Sequence, residues 1–250
     1  MSTDRIRAGL YGKMPTVGDF VCRGFSPQTT TLLDSLWQTA LMSACEGGRE
    51  LYQIFDAAPV FMLSVRPGVM VASGVSVLVM PSCDRVGRLF PLCAGIEWSE
   101  GREGERLGWP SPGLMRDLCS AMINVNGARG GPTDLWDSLL QIPALGQIVE
   151  ESCPFSGESD LTVPSIWNSS PHLWFEGPAS AMSPTAQAVC AHLPWVAQAL
   201  GCALSPRGTI ESYFSTRALQ TPSILGALFD TDWLGHGWDT YPLERETGKP

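Results

Sequence analysis

Charged residues stand in two short polar segments of a chain in which only 16% of the residues are charged. The first segment contains Lys13 and Asp19, and the second contains Asp84, Arg85 and Arg88. Such a set could clamp an anionic ligand with its cations while one aspartate acts as a general base. The simpler interpretation is that the charges form ion pairs that fix turns. We favour the ion pairs, because they far outnumber active sites among groups of this kind.

Recognisable catalytic and cofactor motifs are missing from the sequence. The pair Gly12-Lys13 is not a phosphate-binding loop, because Arg7 and Met14 stand where that motif needs glycine and a hydroxyl residue. No nucleophile elbow is present, and no dinucleotide-binding glycine motif follows a strand. The 8 cysteines and 3 histidines lack the spacing of a metal site or of a disulfide framework. We therefore predict a protein that is not an enzyme and uses no cofactor or metal.

Composition restricts the partners and the compartment. The net charge of -9 argues against nucleic acid as a partner, because such sites need clustered lysine and arginine. No apolar run has the length of a membrane span, so we expect no direct membrane insertion. The N-terminal residues lack the apolar core of a signal peptide. We expect a cytoplasmic protein.

Apolar runs predict the strands that position the two polar segments. The run from Val69 to Met80 is typical of a strand buried on both faces at the centre of a sheet. Residues 59–65 should pair with it as an antiparallel hairpin, and residues 90–98 should continue the sheet. The second polar segment lies between two of these core strands. The first follows a predicted strand at residues 6–11, so rigid elements should hold both segments.

Capped helices should flank this sheet. Ser26-Pro27 and Ser111-Pro112 are typical helix starts, with serine as N-cap and proline in the first turn, and apolar residues follow each at helical spacing. We predict a main α/β domain at residues 1–150 that carries both polar segments. A smaller C-terminal α/β lobe or extension should occupy residues 151–230 and pack on the first. Residues 231–250 should form a loose tail.

The two polar segments together resemble the type VI secretion-associated family called TagF or ImpM. The first segment of that family reads Gly-Lys-x-Pro-x-x-Gly-Asp-Phe, and the second reads Pro-Ser-x-Asp-x-x-Gly-Arg-x-Phe-Pro. The matching residues here are Gly12, Lys13, Pro15, Gly18, Asp19 and Phe20, then Pro81, Ser82, Asp84, Gly87, Arg88, Phe90 and Pro91. A Ser-x-Trp-Trp strand matches in part, through Ser165 and Trp167, but Asn168 replaces the second tryptophan.

The resemblance implies a fold and a function. The implied fold is a three-layer α/β sandwich, with a mixed, largely antiparallel central sheet and helices on both faces. The implied function is that of a bacterial cytoplasmic accessory protein, a repressor that holds back type VI secretion after translation by protein–protein interaction. The implied partner is the forkhead-associated scaffold protein of that system. The motif residues, together with Arg85, are the candidates for partner binding.

Two other functions remain open from the sequence. One is an enzyme or sensor for an anionic ligand, with Lys13, Arg85 and Arg88 as the anion clamp. The other is a structural subunit of the secretion baseplate. For all three functions we predict that the two polar segments meet, through an Asp19–Arg88 or a Lys13–Asp84 pair that lets both loops be buried. We also predict that Arg88 is buried.

Overall fold

The computed structural model describes residues 6–98, 112–143, 171–176, 197–205, 210–219 and 222–241. These residues form one nine-stranded sheet, in the order β2-β1-β5-β4-β3-β7-β8-β6-β9. All neighbouring strands are antiparallel except β6 and β9, which are parallel. The strands are β1 (Ile6–Gly12), β2 (Val21–Arg23), β3 (Val60–Val65), β4 (Gly74–Met80), β5 (Leu92–Trp98), β6 (His172–Glu176), β7 (Ala199–Leu204), β8 (Ile210–Thr216) and β9 (Asp239–Tyr241). The predicted α/β class with a largely antiparallel sheet is confirmed.

Helices pack against the sheet in two groups. The described helices are α1 (Pro27–Ala44), α2 (Leu51–Ala57), α3 (Pro112–Gly127), α4 (Pro132–Leu140), α5 (Pro222–Leu225) and α6 (Ala227–Asp230). Leu78 and Met80 of β4 belong to a hydrophobic cluster that includes residues of α3 and α4. The alternate residues Val77 and Val79 belong to a second cluster, with residues of α1, α2, α5 and α6. This alternation follows from the two-residue repeat of a strand.

Strand β4 lies between β3 and β5, and all of its residues are buried, as the apolar run predicted. The prediction was wrong about where the strand begins, because residues 69–73 belong to the hairpin loop. Pairing with β3 ends at Val65 and Val75. In the loop, the amide of Gly68 donates to the carbonyl of Val71 at 2.8 Å. The apolar residues at 69–73 therefore favour a strand by their type, but β3 ends at Val65 and offers them no backbone to pair with.

Helix α1 is fixed to the sheet by a buried carboxylate. Ser26 is its N-cap, as predicted, and the Ser26 hydroxyl accepts from the amide of Thr29 at 3.2 Å. The amide of Ser26 donates to Glu97 of β5 at 2.7 Å. Burial alone would raise the pKa of Glu97, but hydrogen bonds from Ser26 and from the hydroxyl of Ser73 lower it. The charged carboxylate therefore sets where α1 starts.

The C-terminal strands continue the same sheet, because β7 pairs with β3. The prediction of a loose tail is wrong for the part of residues 231–250 that the structure describes. Trp233 and Trp238 are buried, and β9 pairs with β6. The Trp238 indole donates to the carbonyl of Ile224 at 3.0 Å. Buried aromatic area anchors this segment where the sequence shows no periodic pattern. The predicted boundary near residue 150 lies outside the described residues.

Candidate functional site

The first polar segment leaves the sheet at the end of β1 through a turn that requires glycine. Gly12 has a φ of 127°, and a Cβ at this position would overlap the carbonyl oxygen of Pro91. The amide of Lys13 donates to that same carbonyl at 3.4 Å. Farther along the segment, the Thr16 hydroxyl donates to the carbonyl of Gly130 at 3.1 Å, just beyond α3. The segment is therefore held at both of these points.

The second polar segment folds around the carboxylate of Asp84. Oδ1 of Asp84 accepts from the amides of Val86 and Arg88, at 3.0 and 2.9 Å. The amide of Asp84 donates to the carbonyl of Arg88 at 3.1 Å, and the amide of Gly87 donates to the carbonyl of Asp84 at 2.9 Å. Gly87 has a φ of 86°, which favours glycine. Aspartate at position 84 thus closes its own loop through local hydrogen bonds.

Two cations share the other oxygen of Asp84. Oδ2 lies 2.6 Å from Nε of Arg88 and 3.5 Å from Nζ of Lys13. The Asp84 side chain is fully buried and the Lys13 side chain is 10% exposed, whereas Arg88 is 62% exposed. Burial alone would raise the pKa of Asp84, but hydrogen bonds from Arg88 and from the amide of Val86 lower it to about 2. Asp84 is therefore a permanent anion at neutral pH.

The two polar segments meet, as predicted. Besides the Lys13–Asp84 pair, Nη2 of Arg88 donates to the carbonyl of Gly18 at 2.6 Å. The amide of Arg85 donates to the carbonyl of Val17 at 2.8 Å. Side chain and backbone of the second segment thus both bind the backbone of the first. We call this unit the braced loops, residues 12–20 and 81–91.

Aromatic rings cover one side of the braced loops. The Phe20 ring stacks on Tyr11 with 5.7 Å between centroids and meets the edge of Phe90 at 4.9 Å. Nζ of Lys13 lies 5.2 Å from the centroid of Phe20. Phe20 stays 42% exposed, whereas Tyr11 and Phe90 are buried. Phe20 is thus a fixed aromatic ring at the protein surface.

Sequence reasoning missed the anchor of this aromatic cluster. The Tyr11 hydroxyl donates to Asp34 of α1 at 2.6 Å, and Gln38 donates to the second oxygen of Asp34 at 2.7 Å. Burial, and then the bond to Asp34, raises the pKa of Tyr11 well above its usual range. The available signal was the tyrosine directly before Gly12-Lys13. Its partner on a distant helix could not be read from spacing.

One of the two alternative ion pairs, Asp19–Arg88, does not form, and the predicted burial of Arg88 is wrong. Asp19 is exposed, and its carboxylate accepts from the amide of Phe20 at 2.8 Å; among the described contacts it forms no ion pair. An aspartate in a turn satisfies its own backbone more easily than it reaches a distant arginine. Arg88 is mostly exposed, although its Nε donates to Asp84 and its Nη2 donates to the carbonyl of Gly18. Asp84 and Lys13 are the buried charges of the site.

The remaining candidates lie within the braced loops. Ser82 and Pro91 are buried, whereas Pro15, Gly18 and Pro81 are partly buried and Arg85 and Gly87 are exposed. Ser165 and Trp167 lie outside the described residues. The structure thus brings together every described residue of the two motifs. Sequence reasoning did not single out Val86, which is 69% exposed at the tip of the second loop.

The geometry restricts what the braced loops can do chemically. A carboxylate with a pKa of about 2 is a poor general base near neutral pH. Lys13 and Arg88 already neutralise Asp84, which leaves Arg85 as the cation of this set without an ion pair among the described residues.

No group of histidine, cysteine and carboxylate side chains in the described ranges is arranged to hold a metal ion. None of the described helices combines the length and hydropathy needed to cross a bilayer.

Comparison with protein families identifies the chain. Residues 9–141 match the family described as TagF N-terminal domain, Type VI secretion system-associated, and this match spans more than half of the sequence. The chain belongs to the TagF family. The match contains both polar segments, so the braced loops lie inside the TagF N-terminal domain. The resemblance drawn from the two motifs is thereby confirmed.

A solved structure has a similar fold. The crystal structure of PA0076 from Pseudomonas aeruginosa PAO1, at 2.05 Å resolution, is 17% identical to this TagF-family chain. The match has a TM-score of 0.53 and covers 90% of this chain and 94% of that chain. At this identity the likeness concerns the fold alone. Comparison with curated protein sequences finds no match.

Proposed function

We propose that this chain is a non-enzymatic accessory protein of the type VI secretion system. In this proposal it acts in the cytoplasm, after translation, as a negative regulator that binds the forkhead-associated scaffold component. Membership of a type VI secretion-associated family supports the assignment of the chain to this secretion system. The two hydrophobic clusters, each with its own helices, support the three-layer sandwich that the resemblance implied.

One observation carries the binding proposal: buried charges brace two loops whose tips stay exposed. Asp84 holds both loops from below, while Phe20, Arg85, Val86 and Arg88 face solvent. We call these four residues the motif face. A rigid surface that presents aromatic and arginine side chains is typical of the centre of a protein interface. Preorganised loops also lower the entropy cost of binding.

The enzymatic alternative has less support. An anion clamp built from Lys13 and Arg88 would have to compete with Asp84, which already pairs with both. Asp84 itself is too weak a base for proton transfer near neutral pH. We find no observation that favours a structural subunit of the baseplate over a regulator.

Binding to the purified scaffold component tests the proposal by calorimetry. Val86→Asp places a charge on the motif face, and we expect it to weaken binding at least about tenfold. Leu234→Asp is the matched control, because Leu234 is 70% exposed and Val86 is 69% exposed. Equal affinity of both variants would remove the motif face from the interface. Absence of binding by the unmodified chain would overturn the proposed partner.

A titration in cells tests the mode of action. A binder acts by mass action. Secretion should therefore fall gradually as the cellular abundance of the chain is increased toward that of the scaffold protein. Val86→Asp should shift this curve to higher abundance. Full repression at a small fraction of the scaffold's abundance would indicate a catalyst and contradict the proposal.

A further inference from the structure

Two guanidinium groups of the motif face approach the same glycine. Nη2 of Arg88 donates to the carbonyl of Gly18 at 2.6 Å. A Cβ added at Gly18 would lie 3.4 Å from Nη2 of Arg85, so this second guanidinium also lies against Gly18. The backbone of both arginines is fixed, because the amide of Arg85 donates to the carbonyl of Val17 and the amide of Arg88 donates to Asp84. The two cations are therefore held near each other at the surface.

The braced loops do not balance their own positive charge. They carry three cations, Lys13, Arg85 and Arg88, and two carboxylates, Asp19 and Asp84. Asp84 is buried and already pairs with Lys13 and Arg88. Asp19 is exposed and forms no ion pair with the described residues. The loops thus keep an excess of positive charge, although the net charge of the whole chain is -9.

Both arginines keep hydrogen-bond donors that no described residue uses. Arg88 donates through Nε and Nη2, which leaves Nη1. The side chain of Arg85 is exposed and forms no hydrogen bond with the part of the chain that the structure describes. A guanidinium offers a planar fork of donors that matches a carboxylate. The Phe20 ring beside them is 42% exposed and can contact an apolar side chain.

We propose that the motif face binds an acidic segment of a protein partner through Arg85 and the remaining donors of Arg88. Carboxylates suit the small excess of positive charge better than a phosphate group, which carries about two negative charges and would face Asp19. A nucleic acid or an anionic bilayer would extend past the loops to the acidic remainder of the chain, which would repel it. A short segment contacts the loops alone, and charges farther away than about 10 Å are largely screened. This inference rests on the proposed function, since it names the chemistry that the binding surface recognises.

Short peptides test this chemistry without the scaffold protein. The probes are acetyl-Leu-Glu-Glu-amide, the neutral acetyl-Leu-Gln-Gln-amide, and a peptide of similar charge in which one phosphoserine replaces the two glutamates. Backbone amide spectra of the full chain should show shifts at Gly18, Arg85 and Arg88 with the glutamate peptide. We expect the glutamine peptide to bind at least about tenfold more weakly and the phosphoserine peptide to bind no more tightly than the glutamate peptide. Binding of the glutamate peptide should weaken as salt is raised from about 0.05 M to about 0.5 M.

Opposite charges at one position separate electrostatic recognition from a loss of shape. Val86 follows Arg85 in the chain and is 69% exposed, so Val86→Lys and Val86→Asp remove the same side chain and add opposite charges. We expect Val86→Lys to tighten the glutamate peptide about threefold and Val86→Asp to weaken it about threefold. Arg85→Gln should weaken it about fivefold or more. Arg7→Gln, the same charge change at an exposed site toward the other end of β1, should leave it unchanged.

Several outcomes would overturn the proposal. They are equal binding of the glutamate and glutamine peptides, tighter binding of the phosphoserine peptide, equal effects of Val86→Lys and Val86→Asp, equal effects of Arg85→Gln and Arg7→Gln, or shifts confined to other residues. If the peptides fail while the scaffold still binds, this inference falls and the proposed function stands. If the peptides bind while the scaffold does not, the site for an acidic segment stands and the proposed partner falls.

Discussion

A buried carboxylate holds an exposed guanidinium: Oδ2 of Asp84 lies 2.6 Å from Nε of Arg88, although Asp84 is fully buried and Arg88 is 62% exposed. The buried member of the pair also neutralises Lys13. The exposed member crosses to the first loop and binds the carbonyl of Gly18. The buried carboxylate therefore fixes the position of a side chain on the motif face.

Arg88 and Arg85 should contribute unequally to the stability of the fold, although both lie on the same loop. Arg88→Ala removes hydrogen bonds to Asp84 and Gly18, so we expect a loss of about 1–2 kcal/mol in unfolding free energy, reduced by solvent exposure. Arg85→Ala should change it by less than about 0.5 kcal/mol, because this side chain is exposed. Urea unfolding measures both. Equal losses would mean that Arg88 does not brace the loops.

Stability should depend on pH through Asp84. Its folded pKa of about 2 lies below the ordinary value of about 3.9, so its contribution is present above pH 4 and is lost as the pH falls toward 2. Asp84→Asn should be less stable than the unmodified chain at pH 7, and the difference should shrink across this window. Asp19→Asn, at an exposed site in the facing loop, is the control and should show neither effect. A constant difference from pH 5 to pH 2 would contradict the assignment.

Tyr11 should give a pH dependence at the opposite end of the scale. Its folded pKa is raised above the ordinary value of about 10, so its contribution is present below pH 10 and is lost as the pH rises further. Tyr11→Phe should lower the unfolding free energy by about 1 kcal/mol at pH 7 and flatten its alkaline decline. Tyr52→Phe removes the same hydroxyl from an exposed ring and should leave both unchanged. An unaltered alkaline profile in Tyr11→Phe would contradict the raised pKa of Tyr11.

Gly12 should tolerate no side chain. Gly12→Ala combines a positive φ with overlap at Pro91, so we expect a loss of more than about 3 kcal/mol or no folded protein. Gly48→Ala is the matched control, since Gly48 also has a positive φ but no atom lies within 4 Å of the added carbon. It should cost only about 1–2 kcal/mol of backbone strain. A mild effect at position 12 would mean that the two segments approach less closely.

The sequence predicted the parts of this structure that follow from local pattern. The cap at Ser26, the buried run that became β4 and the pairing of Lys13 with Asp84 follow from propensity, hydrophobicity and charge balance. The exposure of Arg88 could not be predicted in the same way. It depends on the three-dimensional position of the side chain, which contacts buried Asp84 and still remains 62% exposed. A cavity lined by Tyr52, Asn126 and the braced loops could not be predicted from the sequence either, because these two residues come close to the loops only through the packing of separate helices.

The pairing of β1 with β5 also determines when the braced loops can form. Gly12 lies opposite Leu92, and the carbonyl of Pro91 receives the amide of Lys13. During synthesis the first loop emerges long before its partner, so Lys13 remains solvated until β5 has left the ribosome and closed the long intervening segment. Nascent chains that end before Leu92 therefore lack the strand pairing that brings the two braced loops together. The braced loops therefore take their final arrangement only after the chain has been synthesised through β5.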